Sequence, residues 1–268
     1  MRVVILGSGS KGNTTYIETD QCKILIDAGL SMLQIKNRLQ NQGIVLGNLD
    51  AVFITHEHTD HLKNVESILK KTNAVLYIEE NTYHNANIKL RNALVNLPKV
   101  FIKSDVKYNI CDISIVPIKL SHDTDYCMGY LMKKLNTDEN ISFATITDTG
   151  YIDKKYYKIL SYINTILIES NHDVEMLLDS GRPWMLINRI LSDKGHMSNE
   201  QCVMHLKKFI SKHNKNIILG HISEECNDYD LAYNYVLNAF DNNPSFNLSV
   251  AYQYEEHPMI KISGDAND

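Results

Sequence analysis

Seven consecutive residues, Thr55-His56-Glu57-His58-Thr59-Asp60-His61, limit what this chain can become more than any other stretch. Three imidazoles and two carboxylates fall within six positions, one residue after the apolar run Ala51-Val52-Phe53-Ile54. A short apolar run bounded by polar residues reads as a buried strand, and Leu62 to Lys71 reads as the helix that follows it. The cluster then occupies a strand-to-helix turn, where several side chains can converge on one point. Neutral imidazole with carboxylate is a ligand set for zinc, manganese or iron. The alternation His-x-His, followed by an adjacent Asp-His, leaves little room for a merely polar loop.

Other apolar runs end in the same way. Val3 to Leu6 reads as a strand leading into the turn Gly7-Ser8-Gly9-Ser10-Lys11-Gly12-Asn13. That turn lacks the spacing and the following helix of a phosphate loop, and Thr14 to Thr19 beyond it is β-like. Lys23 to Ile26 ends in Asp27-Ala28-Gly29, after which Ser31 and Gln34 suggest a capped helix over 32–42, stopped at Gly43. Ile115 to Leu120 runs into Ser121-His122-Asp123. Met128 to Leu135 and Ile141 to Thr147 suggest a hairpin whose second strand ends in Asp148-Thr149-Gly150. Thr165 to Ile168 ends in Glu169-Ser170-Asn171-His172-Asp173, and Ile217 to Leu219 ends in Gly220-His221. Further strands are expected at 74–78, 99–118, 247–254 and 259–262. Further helices are expected at 174–180, after Pro183, after Ser198 and over 228–240. His56, His58, His122, Asp148 and His221 thus each lie at or just past a strand's carboxyl end, where ligands gather in α/β sheets.

At 268 residues the chain can bury one large α/β core, and no linker or repeat divides it, so a single domain over 1–268 is expected. A net charge of −5 gives no overall basic signature, so nucleic-acid contact would have to be local or carried by metal. The lysine pairs at 70–71, 133–134, 154–155 and 207–208 read as solvated faces. Five scattered cysteines without a Cys-x-x-Cys pair suggest reduced thiols and a cytoplasmic setting. The apolar run after Met1-Arg2 is too short for a signal peptide, and no segment has the length to span a bilayer.

The ordered series His-x-His-x-Asp-His, then His122, Asp148 and His221, resembles the metallo-β-lactamase superfamily over almost the whole chain, from Asp27 to His221. The resemblance implies a four-layer αβ/βα sandwich and two divalent metal ions, zinc or manganese. His56, His58 and His122 would hold one ion; Asp60, His61 and His221 would hold the other, with Asp148 bridging. Asp27 would support the metal loop without binding metal. Such a pair of cations suits hydrolysis, because it sharpens a shared water and clamps the attacking and leaving oxygens.

Fold alone does not select a substrate. Gly195-His196-Met197-Ser198-Asn199 lies at an expected helix start, where free N–H groups favour a phosphate. His196 and Ser198 add side-chain donors there, and Asn171 and His172 open a similar segment. These segments, with Ser-Gly-Ser near the start and Gly-His-Ile-Ser at 220–223, are similar to the YycJ (WalJ)-type exonuclease branch. That branch implies a bacterial cytoplasmic 5′-to-3′ exonuclease on double-stranded DNA. Its expected mechanism sets a shared hydroxide on a terminal phosphodiester, with Asp60 orienting the nucleophile and His196 holding a non-bridging oxygen. Met197 stands where leucine is usual, a volume-conserving change. A tRNA 3′-processing nuclease, a glyoxalase-II-like thioester hydrolase and a non-catalytic nucleic-acid-binding module are the competing expectations.

Overall fold

A computed structural model describes residues 1–264. Its strands are β1 (Arg2–Gly7), β2 (Thr14–Glu18), β3 (Lys23–Ile26), β4 (Ala51–Phe53), β5 (Val75–Glu79), β6 (Lys99–Ile102) and β7 (Tyr108–Ile110). There follow β8 (Ile113–Leu120), β9 (Cys127–Lys134), β10 (Ser142–Ile146), β11 (Thr165–Glu169), β12 (Asn216–Gly220), β13 (Asn247–Val250) and β14 (Ile260–Lys261). They form two seven-stranded sheets, β14-β1-β2-β3-β4-β5-β6 and β13-β12-β11-β10-β9-β8-β7. Each sheet is antiparallel on one side and parallel on the other: β3 to β6 run together in the first, β10 to β13 in the second.

The helices are α1 (Met32–Asn41), α2 (Thr59–Leu62), α3 (Val65–Thr72), α4 (Glu80–Asn85), α5 (Ile88–Leu94), α6 (Tyr157–Leu160), α7 (Val174–Leu178), α8 (Trp184–Leu191), α9 (Asn199–Phe209) and α10 (Tyr229–Ala239). Both expected capping boxes form, Ser31 with Gln34 and Ser198 with Gln201. The expected helix over 62–71 is instead two pieces, α2 and α3, broken at Lys63-Asn64. Asn64 gives its backbone N–H to Ala28 O and its side-chain amide to Gly29 O, so it clamps the loop after β3 instead of extending a helix.

Side-chain alternation along the strands builds the layers, because successive residues face opposite sides of a sheet. In β1, Val3 and Ile5 join the core between the sheets, whereas Val4 and Leu6 join the core under α1 and α3. In β12, Ile218 faces the other sheet, whereas Ile217 and Leu219 face α9 and α10. Three apolar interfaces therefore separate four layers, the αβ/βα sandwich expected from sequence. Between the sheets Phe53 stacks on Tyr77 at 4.5 Å and meets the edge of Tyr130 at 5.4 Å. Such aromatic pairs add ~0.5–1.5 kcal/mol beyond the area they bury. A fourth, smaller apolar cluster around Leu177, Ile187 and Ile190 holds α7 and α8 beside the main body. Among the described residues, no helix is long and apolar enough to cross a membrane.

β3 and β4 run in one direction within the first sheet, and β8, β10, β11 and β12 share one within the second. Their carboxyl ends deliver Asp27, the His56–His61 turn, His122, Asp148, Glu169 and His221 to one rim.

Candidate active site

The structure brings all seven sequence-expected metal ligands together. The donor atoms of His56, His58 and His122 lie within 4.8 Å of one another. So do those of Asp60, His61 and His221, and those of His56, His61 and Asp148. Asp148 stands between the two trios: its Oδ2 is 3.4 Å from His61 Nε2, and its Oδ1 is 3.2 Å from His221 Nε2. Buried and without a hydrogen-bond partner are His56 Nε2, His221 Nε2 and Asp148 Oδ2. Orphaned polar atoms inside a protein are costly, and these aim at one shared space lined by imidazole and carboxylate. That donor set fits divalent cations of the zinc or manganese kind.

Each inward nitrogen is set by what holds the opposite ring nitrogen. His61 Nδ1 donates to Asp27 Oδ2 at 2.7 Å, and His122 Nδ1 donates to Gly195 O at 3.1 Å. His221 Nδ1 donates to Glu169 Oε1 at 3.1 Å. Fixing the tautomer in this way leaves Nε2 as the free ligand atom. Asp27 also accepts from the backbone N–H of Thr55, at the root of the metal-type turn. Its role as a support for that turn therefore has a geometric basis.

The backbone is constrained at the same places. Asp27, Asp148 and His221 all sit at positive φ, between 53° and 61°. Residues other than glycine adopt that conformation at a cost, and they persist in it where the surroundings over-determine them. The loop after β3 shows why: Ala28 N–H is bonded to His61 O, and a Cβ on Gly29 would lie 1.8 Å from Asp60 O. Only glycine permits this approach, which presses the Asp27 loop onto the His56–His61 turn.

Burial and charge compete at the site. Burial disfavours a charge on His61, but the carboxylates of Asp27, Asp148 and Asp60 outweigh it and raise its pKa well above the ordinary imidazole value. His221 follows the same logic: burial opposes its charge, Asp148 and Glu169 favour it, and its pKa is raised to about 9. For His56 and His122, burial dominates and the pKa falls. Burial also works against the Asp148 carboxylate, but His221 and His61 hold its pKa well below the usual range.

Two contributors were not singled out in the sequence. Glu169, fully buried, accepts from His196 Nδ1 at 2.7 Å, from His221, and from the backbone N–H of Thr149 beside Asp148. It is the last residue of β11, so the strand-end rule that selected the ligands would also have found it. Asn13, in the turn after β1, places Nδ2 3.1 Å from Asp60 Oδ2 and 2.9 Å from His61 Nε2. No local pattern marks it.

Among the expected substrate contacts, only His196 presents its ring to the site. It lies with centroids 5.0 Å from His122 and 5.1 Å from His221, and its side chain is 19% exposed. Ser198 is buried, and its hydroxyl accepts from Gln201 N–H as a helix cap. Asn171 donates to the backbone O of His221. His172 is fully buried, with burial lowering its pKa to about 4. All three are buried, with Ser198 and Asn171 engaged by the backbone and both ring nitrogens of His172 without a hydrogen-bond partner.

Comparison with known proteins agrees with this arrangement. The Beta-lactamase superfamily domain matches residues 23–222. Exodeoxyribonuclease YycJ of Bacillus anthracis is 34% identical over 228 residues, covering 85% of this chain and 84% of that protein. Exodeoxyribonuclease WalJ of Streptococcus pneumoniae is 37% identical over 235 residues, covering 87% and 86%. In fold the chain is similar to the metallo-beta-lactamase fold protein YhfI of Bacillus subtilis, with a TM-score of 0.69, 14% identity and coverage of 96% and 98%. It is also similar to Zn(2+)-bound PqqB of Methylobacterium extorquens, with a TM-score of 0.71, 13% identity and coverage of 96% and 99%. With the four layers, the ligand-bearing rim and these relatives in agreement, the chain belongs to the beta-lactamase superfamily, among its metal-dependent hydrolases, in the group of the exodeoxyribonucleases YycJ and WalJ.

Proposed function

We propose that this protein is a 5′-to-3′ exonuclease on double-stranded DNA that works with two divalent cations, zinc or manganese. The observation that carries the reading is the pairing of two ligand trios about Asp148, with His196 beside them on a buried carboxylate. His56, His58 and His122 would hold one cation, Asp60, His61 and His221 the other, with Asp148 shared. Such a pair, when bound, lowers the pKa of a water and neutralises charge on a transferring phosphoryl group.

The chain's own groups account for the rest. Asp60, whose side chain is 22% exposed, faces the solvent side of the rim and is held by Asn13; it orients the attacking water. Glu169 accepts a hydrogen bond from His196 Nδ1–H, so Nε2 is the atom turned to substrate. Carrying a proton on both ring nitrogens, with its charge paired to the Glu169 carboxylate, His196 donates from Nε2 to a non-bridging phosphoryl oxygen as charge develops there, an electrostatic role of the oxyanion-hole kind. Ser198 and the first turn of α9 keep the segment carrying His196 in place.

The test uses the full chain, manganese or zinc, and end-labelled single- and double-stranded DNA and RNA. Mononucleotides released from the 5′ ends of duplex DNA, with loss of release on chelation, are expected. A ladder from RNA alone, or binding of nucleic acid without cleavage, would overturn the assignment.

A further inference from the structure

Three strands that carry rim residues at their carboxyl ends also carry metal-type side chains at their starts. Cys22 precedes β3, which leads to Asp27; Asp50 precedes β4, which leads to His56; Cys111 lies just before β8, which leads to His122. Because these strands run in a common sense, the three residues gather at the end of the sandwich opposite the histidines. One donor atom from each, two sulfurs and a carboxylate oxygen, lies within 4.8 Å of the others. At ~3.3 Å per residue, the eight residues of β8 put this cluster roughly 25 Å from the rim.

The surroundings fix the cluster. Thr19 accepts from Cys22 N–H and donates to buried Asp112, the residue after Cys111, so the two sheets are joined here. Asp50 accepts from Lys23 N–H at 2.8 Å, which holds its carboxylate at the start of β3. Cys111 occupies the β7–β8 turn at a φ of 49°, with its exposed thiol within 4.8 Å of the buried Cys22 thiol. Burial and the neighbouring Cys111 both disfavour ionisation of the Cys22 thiol.

We propose that Cys22, Cys111 and Asp50 form a separate site for a soft or borderline divalent cation of the zinc or cadmium class, clamping the two sheets together at the end remote from the reaction. Both thiols release their protons to solvent, and the two sulfurs and one carboxylate oxygen bind the ion. Solvent takes the remaining position, since Asp50 and Cys111 are exposed. The site stands apart from the nuclease reading and does not depend on it.

Cobalt(II) tests it, because the rim ligands are histidine and carboxylate, whereas the remote site offers two thiolates. The reduced full chain should develop a thiolate-to-cobalt charge-transfer band, and Cys111→Ser, which alters an exposed turn residue, should abolish it while the circular dichroism stays unchanged. Zinc at about ten times its dissociation constant should slow alkylation of Cys111 about tenfold, and Asp50→Asn should weaken that protection. Absence of the band in reduced protein overturns the proposal. So does its persistence in Cys111→Ser, which would place it at Cys127, whose Sγ lies 3.7 Å from His56 Nδ1 behind the rim. Formation of a Cys22–Cys111 disulfide in air, with no thiolate band after reduction, would make the pair a redox couple and likewise overturn it.

Discussion

The two sheets build their halves of the rim by the same device from differently arranged sequence. In the first, a buried carboxylate, Asp27, ends β3 and holds His61 and the Thr55 backbone of the neighbouring turn. In the second, a buried carboxylate, Glu169, ends β11 and holds His221, His196 and the Thr149 backbone. Each anchor thus fixes one imidazole expected to bind metal and one turn that carries others. The first half draws its ligands from six consecutive positions, however, whereas the second assembles them from strands ending at residues 120, 146 and 220. Local ligands need one anchored loop; dispersed ligands need a sheet to bring them into register.

The comparison can be broken most severely at the residue both halves share. Asp148→Ala removes the carboxylate between the trios and should cut kcat/KM by at least about 10³-fold, beyond the ~10–100-fold typical of outer partners, with bound metal falling below that of the parent by elemental analysis. His196→Ala tests the second half's substrate-facing group. Turnover should fall by about 10²–10³-fold with metal content unchanged, and equal turnover would remove the assigned role.

The anchors sharpen the comparison. Asp27→Asn and Glu169→Gln should each cost about 10–100-fold, but through different quantities. The first should appear as weaker metal affinity by competition with a chelator, because His61 loses its charged acceptor. The second should lower kcat as well, because Glu169 also orients the His196 ring and pairs with its charge. Identical behaviour of the two variants would mean that the halves are not functionally distinct. Ser198→Ala should have the smallest effect, a loss of roughly 1 kcal/mol of stability in denaturant unfolding with turnover nearly retained, because its hydroxyl caps α9.

Several features could be read from residues alone. Apolar runs at 3–6, 23–26 and 51–54 became strands of the first sheet, and Ser31 and Ser198 became the caps that their box partners implied. The break at Asn64 could not be foreseen, because Asn64 bonds to carbonyls of residues 28 and 29, far away in sequence. Nor could the burial of Ser198 and His172, which a helix start had offered to substrate.

The chain's order of residues determined, by itself, the identity of the rim: His-x-His-x-Asp-His and the later strand-end His and Asp are chemical facts before any folding. What only the tertiary structure decided is which groups stand behind them. Asn13 carries no local signature, Glu169 has only its strand-end position, and Cys22 and Cys111, 89 positions apart, meet only because two sheets stack. The physical reason is that ligand type is a property of a residue, whereas a hydrogen-bond anchor or a shared cavity is a property of distance, and long-range distances are set by how layers pack.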